Sequence, residues 1–187
     1  MVTLHTIGHS NRDIETLLGL LAAHHVETLV DIRAFPRSRR YPQYDRATLA
    51  SHLARADVRY EWAGDAFGGF RKPRRDSRHT ALTDAAFRGF ADYMESARFA
   101  AAIDALVARA ACKRTAIMCA EAEHRHCHRQ FIADYLALRG HAVMHIENTG
   151  AARPHRLTDC LDRARQAPVY NRNEQRDLFE ATDEPTG

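Results

Sequence analysis

The sequence lacks several patterns whose absence narrows the class of protein. No stretch of its 187 residues approaches the run of about 18 apolar residues that a membrane-spanning helix needs. The amino-terminal segment has neither the basic start nor the small-residue cleavage site of a secretory signal. Only four residues are cysteine, and no C-x-x-C pair occurs. We therefore expect a cytoplasmic protein with reduced thiols and no membrane association.

Lysine is almost absent as well, because only Lys72 and Lys113 among the 27 lysine and arginine residues are lysine. An arginine in any single loop is thus weak evidence for a function. The clustering of charge says more: residues 33–78 hold 12 basic and 5 acidic side chains, in a chain of net charge +3. This segment favours an anionic partner, either a phosphate-bearing small molecule or nucleic acid, over a pair of solvated loops.

Apolar runs alternate with amphipathic segments along most of the chain. Five runs predict strands: Thr3–Ile7, Thr28–Ile32, Val58–Trp62, Thr115–Met118 and Ala142–Ile146. The segments between them predict helices, the first capped by Ser10 or Asn11 and the second by Asp45, while residues 63–80 predict a long irregular loop. This alternation is typical of an α/β fold. We expect a mostly parallel sheet of about five strands with helices on both faces, a three-layer, Rossmann-like arrangement.

The domain organisation follows from the same pattern. Residues 1–150 are expected to form a single α/β domain, and residues 151–187 a carboxy-terminal extension. Within the extension, residues 155–165 predict one helix and residues 171–187 a polar tail.

The densest group of reactive side chains lies in the eleven residues from Cys119 to Arg129. It contains two thiols, two carboxylates, three histidines and two arginines, between a predicted strand and a predicted helix. Ligands of open α/β sheets bind outside the carboxyl ends of the strands. The other residues expected at this edge are Gly8, His9, Ser10, Asp31, Arg33, Gly68, Gly69, Glu147 and Asn148. We therefore expect an active site there.

Cys119 is the first candidate for a nucleophile, because it ends a strand beside histidines and arginines that depress a thiol pKa. The alternative is a small buried apolar residue, the commonest fate of a free cysteine. Glu121, His9 and Asp31 are candidates for proton transfer. For Asp31 the alternative is an ion pair with Arg33 that positions the loops.

A metal centre is an alternative interpretation of the same segment. Cys119, Cys127, His128 and His9 offer the sulfur and nitrogen donors of a tetrahedral site. The spacing of the thiols is not a usual zinc pattern, so no structural zinc is expected, whereas a catalytic metal with an open position stays an alternative. The cofactor is left unassigned.

A phosphatase loop is a further interpretation, because five residues separate Cys119 from Arg125. Such a loop binds a phosphate dianion through backbone amides. Here Glu121 and Glu123 would repel the dianion, and His126 stands where serine or threonine normally follows the arginine. We reject this interpretation.

The aromatic residues of the basic segment predict mainly core positions and loop anchors. They are Phe35, Tyr41, Tyr44, Trp62 and Phe67. Because arginines are interleaved with them, stacking on nucleic acid bases is the alternative role.

Five ordered motifs resemble the family called domain of unknown function 488. They are residues 6–11 (TIGHSN), 31–38 (DIRAFPRS), 67–71 (FGGFR), 90–94 (FADYM), and 118–121 (MCAE) followed by 127–129 (CHR). The resemblance covers roughly residues 3–148 and implies a bacterial or archaeal α/β domain of undetermined activity. It maps the motif positions onto His9, Ser10, Asn11, Asp31, Arg33, Pro36, Ser38, Gly69, Arg71, Cys119, Glu121, Cys127, His128 and Arg129.

Together these patterns predict an enzyme acting on an anionic, phosphate-bearing or nucleic-acid-derived substrate. The expected catalytic residues are Cys119, Glu121, His9 and Asp31. The expected substrate-binding residues are Ser10, Asn11, Arg33, Ser38, Gly69, Arg71, His128 and Arg129. The alternative is a nucleic-acid-binding or thiol- or metal-sensing module without catalysis.

Overall fold

The protein is built on one six-stranded sheet, seen in a computed structural model that describes residues 1–147, 150–162 and 167–171. The strands are β1 (Thr3–Gly8), β2 (Thr28–Asp31), β3 (Arg59–Trp62), β4 (Thr115–Cys119), β5 (Ala142–Ile146) and β6 (Arg153–Pro154), in the order β3-β2-β4-β1-β5-β6. β1 to β5 are parallel, and β6 pairs antiparallel with β5. The five predicted strands are confirmed, and β6 is an addition that its two-residue length hid from the sequence pattern.

Helices cover both faces of the sheet. They are α1 (Ile14–Ala23), α2 (Arg46–Arg55), α3 (Gly64–Phe67), α4 (Ala85–Met94), α5 (Ala97–Cys112) and α6 (Arg129–Leu138), with 3₁₀ turns at Pro42–Tyr44 and His124–His126. α1 and α2 share one apolar cluster with the sheet, while α3 to α6 share the other. The three-layer α/β arrangement is confirmed. None of the helices in the described ranges is long and apolar enough to cross a bilayer.

The central strands are apolar on both faces, as a covered parallel sheet requires. In β1, Leu4 packs in the cluster of α3 to α6, and Ile7 packs in the cluster of α1 and α2. In β4, Ile117 and Met118 alternate in the same way. The parallel direction places the carboxyl ends of β1, β2 and β4 side by side at one edge.

The cap predicted for α1 is wrong. The carboxylate of Asp13 caps this helix by accepting the Thr16 backbone N–H at 2.6 Å. Ser10 and Asn11 lie earlier, in a turn where Ser10 has φ 50° and its backbone N–H donates to the Ala120 carbonyl at 2.8 Å. The turn is used to join two loops, which delays the start of the helix.

Asp45 occupies the predicted cap position of α2, but its carboxylate accepts the backbone N–H of Ser38 at 2.7 Å instead of a helical N–H. The expected irregular segment 63–80 contains the short helix α3.

The helix expected over residues 155–165 is not formed in its described part. Residues 155–162 are non-helical because β6 leads the chain along β5, and Leu161 then bridges to Tyr170. Asn148, residues 163–166 and residues 172–187 of the expected tail lie outside the described residues.

Candidate functional site

A cavity of about 790 Å³ opens at the carboxyl ends of β1, β2 and β4. Ten of the predicted site residues line it: His9, Ser10, Asn11, Arg33, Ser38, Gly69, Cys119, Glu121, Cys127 and His128. Asp31, Arg71 and Arg129 are not among the lining residues. The edge inferred from the strand ends therefore brings most of the candidates together.

The loops after β1 and β4 are joined by backbone contacts below the cavity. The backbone N–H of His9 donates to the Cys119 carbonyl at 2.9 Å, and the Ser10 bond to Ala120 continues the parallel pairing. A Cβ at Gly8 would stand 1.8 Å from the carbonyl oxygen of Glu121. Only glycine permits this approach, so the reactive segment of β4 is fixed against β1.

Asp31 is a fully buried anchor beneath the cavity. Its two oxygens accept from Arg33 Nε at 2.9 Å, from Arg33 Nη2 at 2.6 Å and from the Tyr60 hydroxyl at 2.8 Å. The backbone N–H of Arg33 donates to the same carboxylate at 3.1 Å. Four donors thus occupy the two oxygens of Asp31, and two of these donors belong to the Arg33 side chain.

His9 is buried and neutral. Its Nδ1 donates to the Ser10 carbonyl at 2.9 Å, since a carbonyl only accepts, and its Nε2 accepts from Arg33 Nη1 at 3.2 Å. The ring stacks on Tyr44 with the centroids 4.0 Å apart. Burial, followed by the nearby Arg33 charge, lowers the pKa of His9 to about 4.

Cys127 has the surroundings of a thiolate. Its sulfur lies 3.5 Å from the backbone N–H of Arg129, the first residue of α6, and 3.7 Å from His128 Nδ1. A sulfur acceptor near a helix amino terminus is stabilised in its charged form.

The pKa values of the two buried thiols are shifted in opposite directions. Hydrogen bonding from Cys119, and then the contact with His128, hold the pKa of Cys127 well below its ordinary value. Conversely, sharing its proton with Cys127, together with burial, raises the pKa of Cys119. Of the two thiols, Cys127 is thus the one whose surroundings favour the charged form. Cys119, the expected nucleophile, lines the same cavity as Cys127, and its role stays a prediction.

Three of the four donors considered for a metal do come together. The sulfurs of Cys119 and Cys127 lie 4.0 and 3.7 Å from His128 Nδ1, and tetrahedral zinc needs about 3.6 Å between sulfur and nitrogen ligands. His9 is not part of this group. The surroundings fit less well: zinc-binding histidines donate their second ring nitrogen to a partner, and His128 Nε2 is buried without one.

Arg129 fixes the loop that follows β4. Its Nη2 donates to the carbonyls of Glu121 at 2.6 Å and Ala122 at 3.3 Å, and its Nη1 to the Thr6 hydroxyl at 3.3 Å. The side chain is 1% exposed. Arg71, the other arginine outside the lining, lies over the Tyr93 ring at 4.0 Å and donates to the Asp65 carbonyl.

A chain of hydrogen bonds leads from Thr6 away from the cavity. The Thr6 hydroxyl lies 2.8 Å from His145 Nδ1, His145 Nε2 lies 3.0 Å from His155 Nδ1, and His155 Nε2 lies 3.0 Å from Asp134. Each histidine uses both ring nitrogens in this chain. The sequence did not indicate this arrangement, because its members lie far apart along the chain.

Two arginines at the mouth of the cavity were not singled out individually by the sequence. Arg37 and Arg40 line it, are exposed, and have no ion-pair partner within the described residues. Glu121 also lines the mouth with an exposed carboxylate. Arg125 lies instead in a neighbouring cavity, which does not contain Cys119. This separation agrees with the rejection of a phosphatase loop.

The fold and cavity define a three-layer α/β protein with a paired-thiol pocket at the carboxyl edge of its sheet. The model of the family described as Domain of unknown function DUF488 matches residues 13–136, and the chain belongs to this family. No curated protein and no solved structure matches the chain.

Proposed function

We propose that the protein is an enzyme that acts on an anionic substrate in this cavity, with the sulfur of Cys127 as its nucleophile. The observation that carries the proposal is the position of this sulfur, 3.5 Å from the first backbone N–H of α6 and on the cavity wall. His128 Nδ1 lies 3.7 Å from this sulfur, and Cys119 supplies the second thiol of the same group. A buried sulfur that acts only as a small apolar residue needs neither a helix amide nor an imidazole nitrogen beside it.

The charge at the mouth supports an anionic substrate. The guanidinium of Arg33 is balanced by Asp31, whereas Arg37 and Arg40 lack acidic partners among the described residues. Two such arginines hold a phosphate group well, because a guanidinium donates to it through two N–H groups at once.

Proton transfer is assigned to Glu121. Its carboxylate lines the cavity and is exposed, while its backbone carbonyl is held by Arg129. Asp31 and His9 were the alternatives, but the acceptor atoms of both are occupied by Arg33. We therefore assign to them the positioning of Arg33. A thiolate of this kind needs a reducing compartment, in line with the expected cytoplasmic location.

The first test is selective alkylation. At pH 7 and limiting iodoacetamide, peptide mapping should find Cys127 labelled at least about tenfold faster than the exposed Cys112, because the thiolate is the reactive form. The Cys119→Ala variant should lower this rate, because it removes the neighbouring thiol that lowers the pKa of Cys127. Equal labelling of Cys112 and Cys127 would contradict the proposal.

The second test is turnover of a panel of phosphate-bearing compounds and oligonucleotides. Cys127→Ser should abolish any activity found, and Cys112→Ser is the matched control because Cys112 lies at the other end of the strands, beside Thr28. Activity that persists in Cys127→Ser would overturn the nucleophile. If Cys127 is alkylated rapidly but the protein turns over no member of the panel, the result would favour the thiol-sensing module.

A further inference from the structure

Two exposed phenylalanines stand at the mouth of the same cavity. Phe35 is 75% exposed and Phe70 is 78% exposed, and their ring centroids lie 6.0 Å apart at an interplanar angle of 40°. Within the described residues, Met1 is the only other large apolar side chain with such exposure. Phe35 was expected to be a core residue or loop anchor, and it is neither. An exposed aromatic pair beside a cavity marks a surface for a ligand.

The backbone holds this pair in place from below. A Cβ at Gly68 would lie 2.7 Å from the Ala34 Cβ, so the loops after β2 and α3 touch directly beneath the rings. A Cβ at Gly69 would lie 2.8 Å from His128 Nδ1, which ties the second loop to the paired thiols. The close packing of both glycines fixes the place from which each ring projects.

The cavity thus offers two kinds of contact side by side. Phe35 and Phe70 present flat apolar faces, and Arg37 and Arg40 present guanidinium groups that have no acidic partner in the described part of the chain. A ligand that uses both has a planar ring and an anionic group within one small molecule or one residue of a polymer. The volume of about 790 Å³ lies within the range of small-ligand sites.

We propose that Phe35 and Phe70 stack the base of a nucleotide whose phosphate is held by Arg37 and Arg40. This inference rests on the proposed function and names its substrate class. A base enclosed between two parallel rings needs about 7 Å between them, because each stacked contact spans about 3.5 Å. From the observed 6.0 Å and 40°, the two exposed side chains must move about 1 Å further apart and rotate until the rings are parallel. The nucleotide is free or forms the end of a nucleic acid strand.

The test compares ligands that differ only in the base. Isothermal titration with AMP and with ribose 5-phosphate should show AMP binding about tenfold more tightly, as expected for one stacked base. The Phe35→Ala/Phe70→Ala variant should reduce AMP to the affinity of ribose 5-phosphate and leave ribose 5-phosphate unchanged. The Phe35→Leu/Phe70→Leu variant keeps apolar surface without a ring and should behave like the Phe35→Ala/Phe70→Ala variant. The Phe35→Tyr/Phe70→Tyr variant keeps both rings and should still prefer AMP over ribose 5-phosphate.

A third ligand shows whether the site takes a free nucleotide or the end of a nucleic acid strand. If a single-stranded oligonucleotide of twelve adenylates binds more tightly than AMP, and the Phe35→Ala/Phe70→Ala variant weakens this binding, the site takes the end of a strand. If the oligonucleotide binds more weakly than AMP, the site takes a free nucleotide. Equal affinity for AMP and ribose 5-phosphate, or AMP binding that the Ala variant leaves unchanged, would overturn the stacking proposal. That result leaves the labelling of Cys127 as a separate test of the enzyme.

Discussion

The guanidinium of Arg33 donates a hydrogen bond to the imidazole of His9, with Nη1 and Nε2 3.2 Å apart. The arginine is itself held by Asp31, at 2.6 Å from Nη2 to the carboxylate, so the three side chains form one buried unit. This geometry is possible only while His9 is neutral, because a protonated Nε2 would face the arginine as a second cation. The unit makes the site sensitive to acid.

Acid should destabilise the folded protein through His9. Its pKa is 6.5 in the unfolded chain and about 4 in the folded one, so the unfolded state binds the extra proton first. Stability is unaffected above pH 6.5, falls as the pH drops below it, and levels off near pH 4 after a loss of about 3 kcal/mol. Arg33, Asp31 and Arg129 are the charged groups that act on this ring.

Urea unfolding between pH 7.5 and pH 4 checks this expectation. The His9→Asn variant should lose that part of the pH dependence, whatever its stability at pH 7.5. His145, whose pKa is lowered to about 2 by burial and by neighbouring histidines, contributes a slope of its own to both proteins. Parallel curves for the wild type and the variant would contradict the role given to His9.

Asp31→Asn should destabilise the protein by about 3–5 kcal/mol, because it leaves the buried Arg33 charge without its partner. Chemical denaturation measures the change. Glu27→Gln is the matched control: it removes an exposed ion pair with Lys113 beside the start of the same strand and should leave stability unchanged within error. Similar losses in both variants would mean that Arg33 does not depend on Asp31.

Gly8→Ala should prevent the normal joining of the β1 and β4 loops. The new Cβ would lie 1.8 Å from the Glu121 carbonyl oxygen, so the backbone must move and stability should fall by several kcal/mol. Gly19→Ala is the control, because nothing lies within 4 Å of its Cβ position in the middle of α1. It should raise stability by about 0.5–1 kcal/mol. Thermal unfolding of both variants tests the contrast, which fails if Gly8→Ala is neutral.

Asp134→Ala should release the segment that follows β5. The buried carboxylate accepts from His155 at 3.0 Å, from the Thr158 hydroxyl at 2.6 Å and from the Tyr170 hydroxyl at 3.0 Å. Amide hydrogen exchange over residues 153–162 and 167–171 should become at least about tenfold faster, as local opening costs less. Asp104→Ala, which removes a solvent-exposed pair with Arg139, should leave exchange there unchanged. Equal protection in the two variants would refute the anchoring role.

Elemental analysis shows whether the paired thiols are free or bind a metal ion. Because His128 Nε2 has no partner, we expect purified protein to contain well under one zinc per chain. One zinc per chain that disappears in Cys127→Ser but persists in Cys112→Ser would assign the paired thiols to a metal and remove the nucleophile.

The architecture was accessible from the sequence because buried parallel strands are short apolar runs between amphipathic helices. All five apolar runs form strands. Gly140, with φ 78°, lies just after the end of α6, where a helix stop was expected. β6 could not be predicted, since a strand of two residues is too short to show an alternation of apolar and polar side chains. The cap at Asp13 was missed because Ser10 and Asn11 are equally good caps until the contact between Ser10 and Ala120 is known.

The site was predictable as a place and less so as a set of roles. Strand ends alone located the cavity, but the roles depend on which partner each polar atom finds. Asp31 accepts two hydrogen bonds from the Arg33 side chain, and Arg129 donates to a backbone carbonyl. No residue spacing shows which of Cys119 and Cys127 contacts a helical N–H, because this depends on the direction of a single N–H in α6.

The short strand β6 has a consequence for how copies of the protein meet. A sheet ends in two rows of unpaired backbone groups, which attract strands from other molecules. On one side, β6 covers β5 with only two residues, and the last bond to β5 is the one that the His155 backbone N–H donates to the Val143 carbonyl. On the other, β3 carries the charged pair Arg59 and Glu61, whose ionic contact at 2.9 Å interrupts an apolar template. A very short edge strand and charged edge residues are both features that disfavour edge-to-edge pairing between molecules.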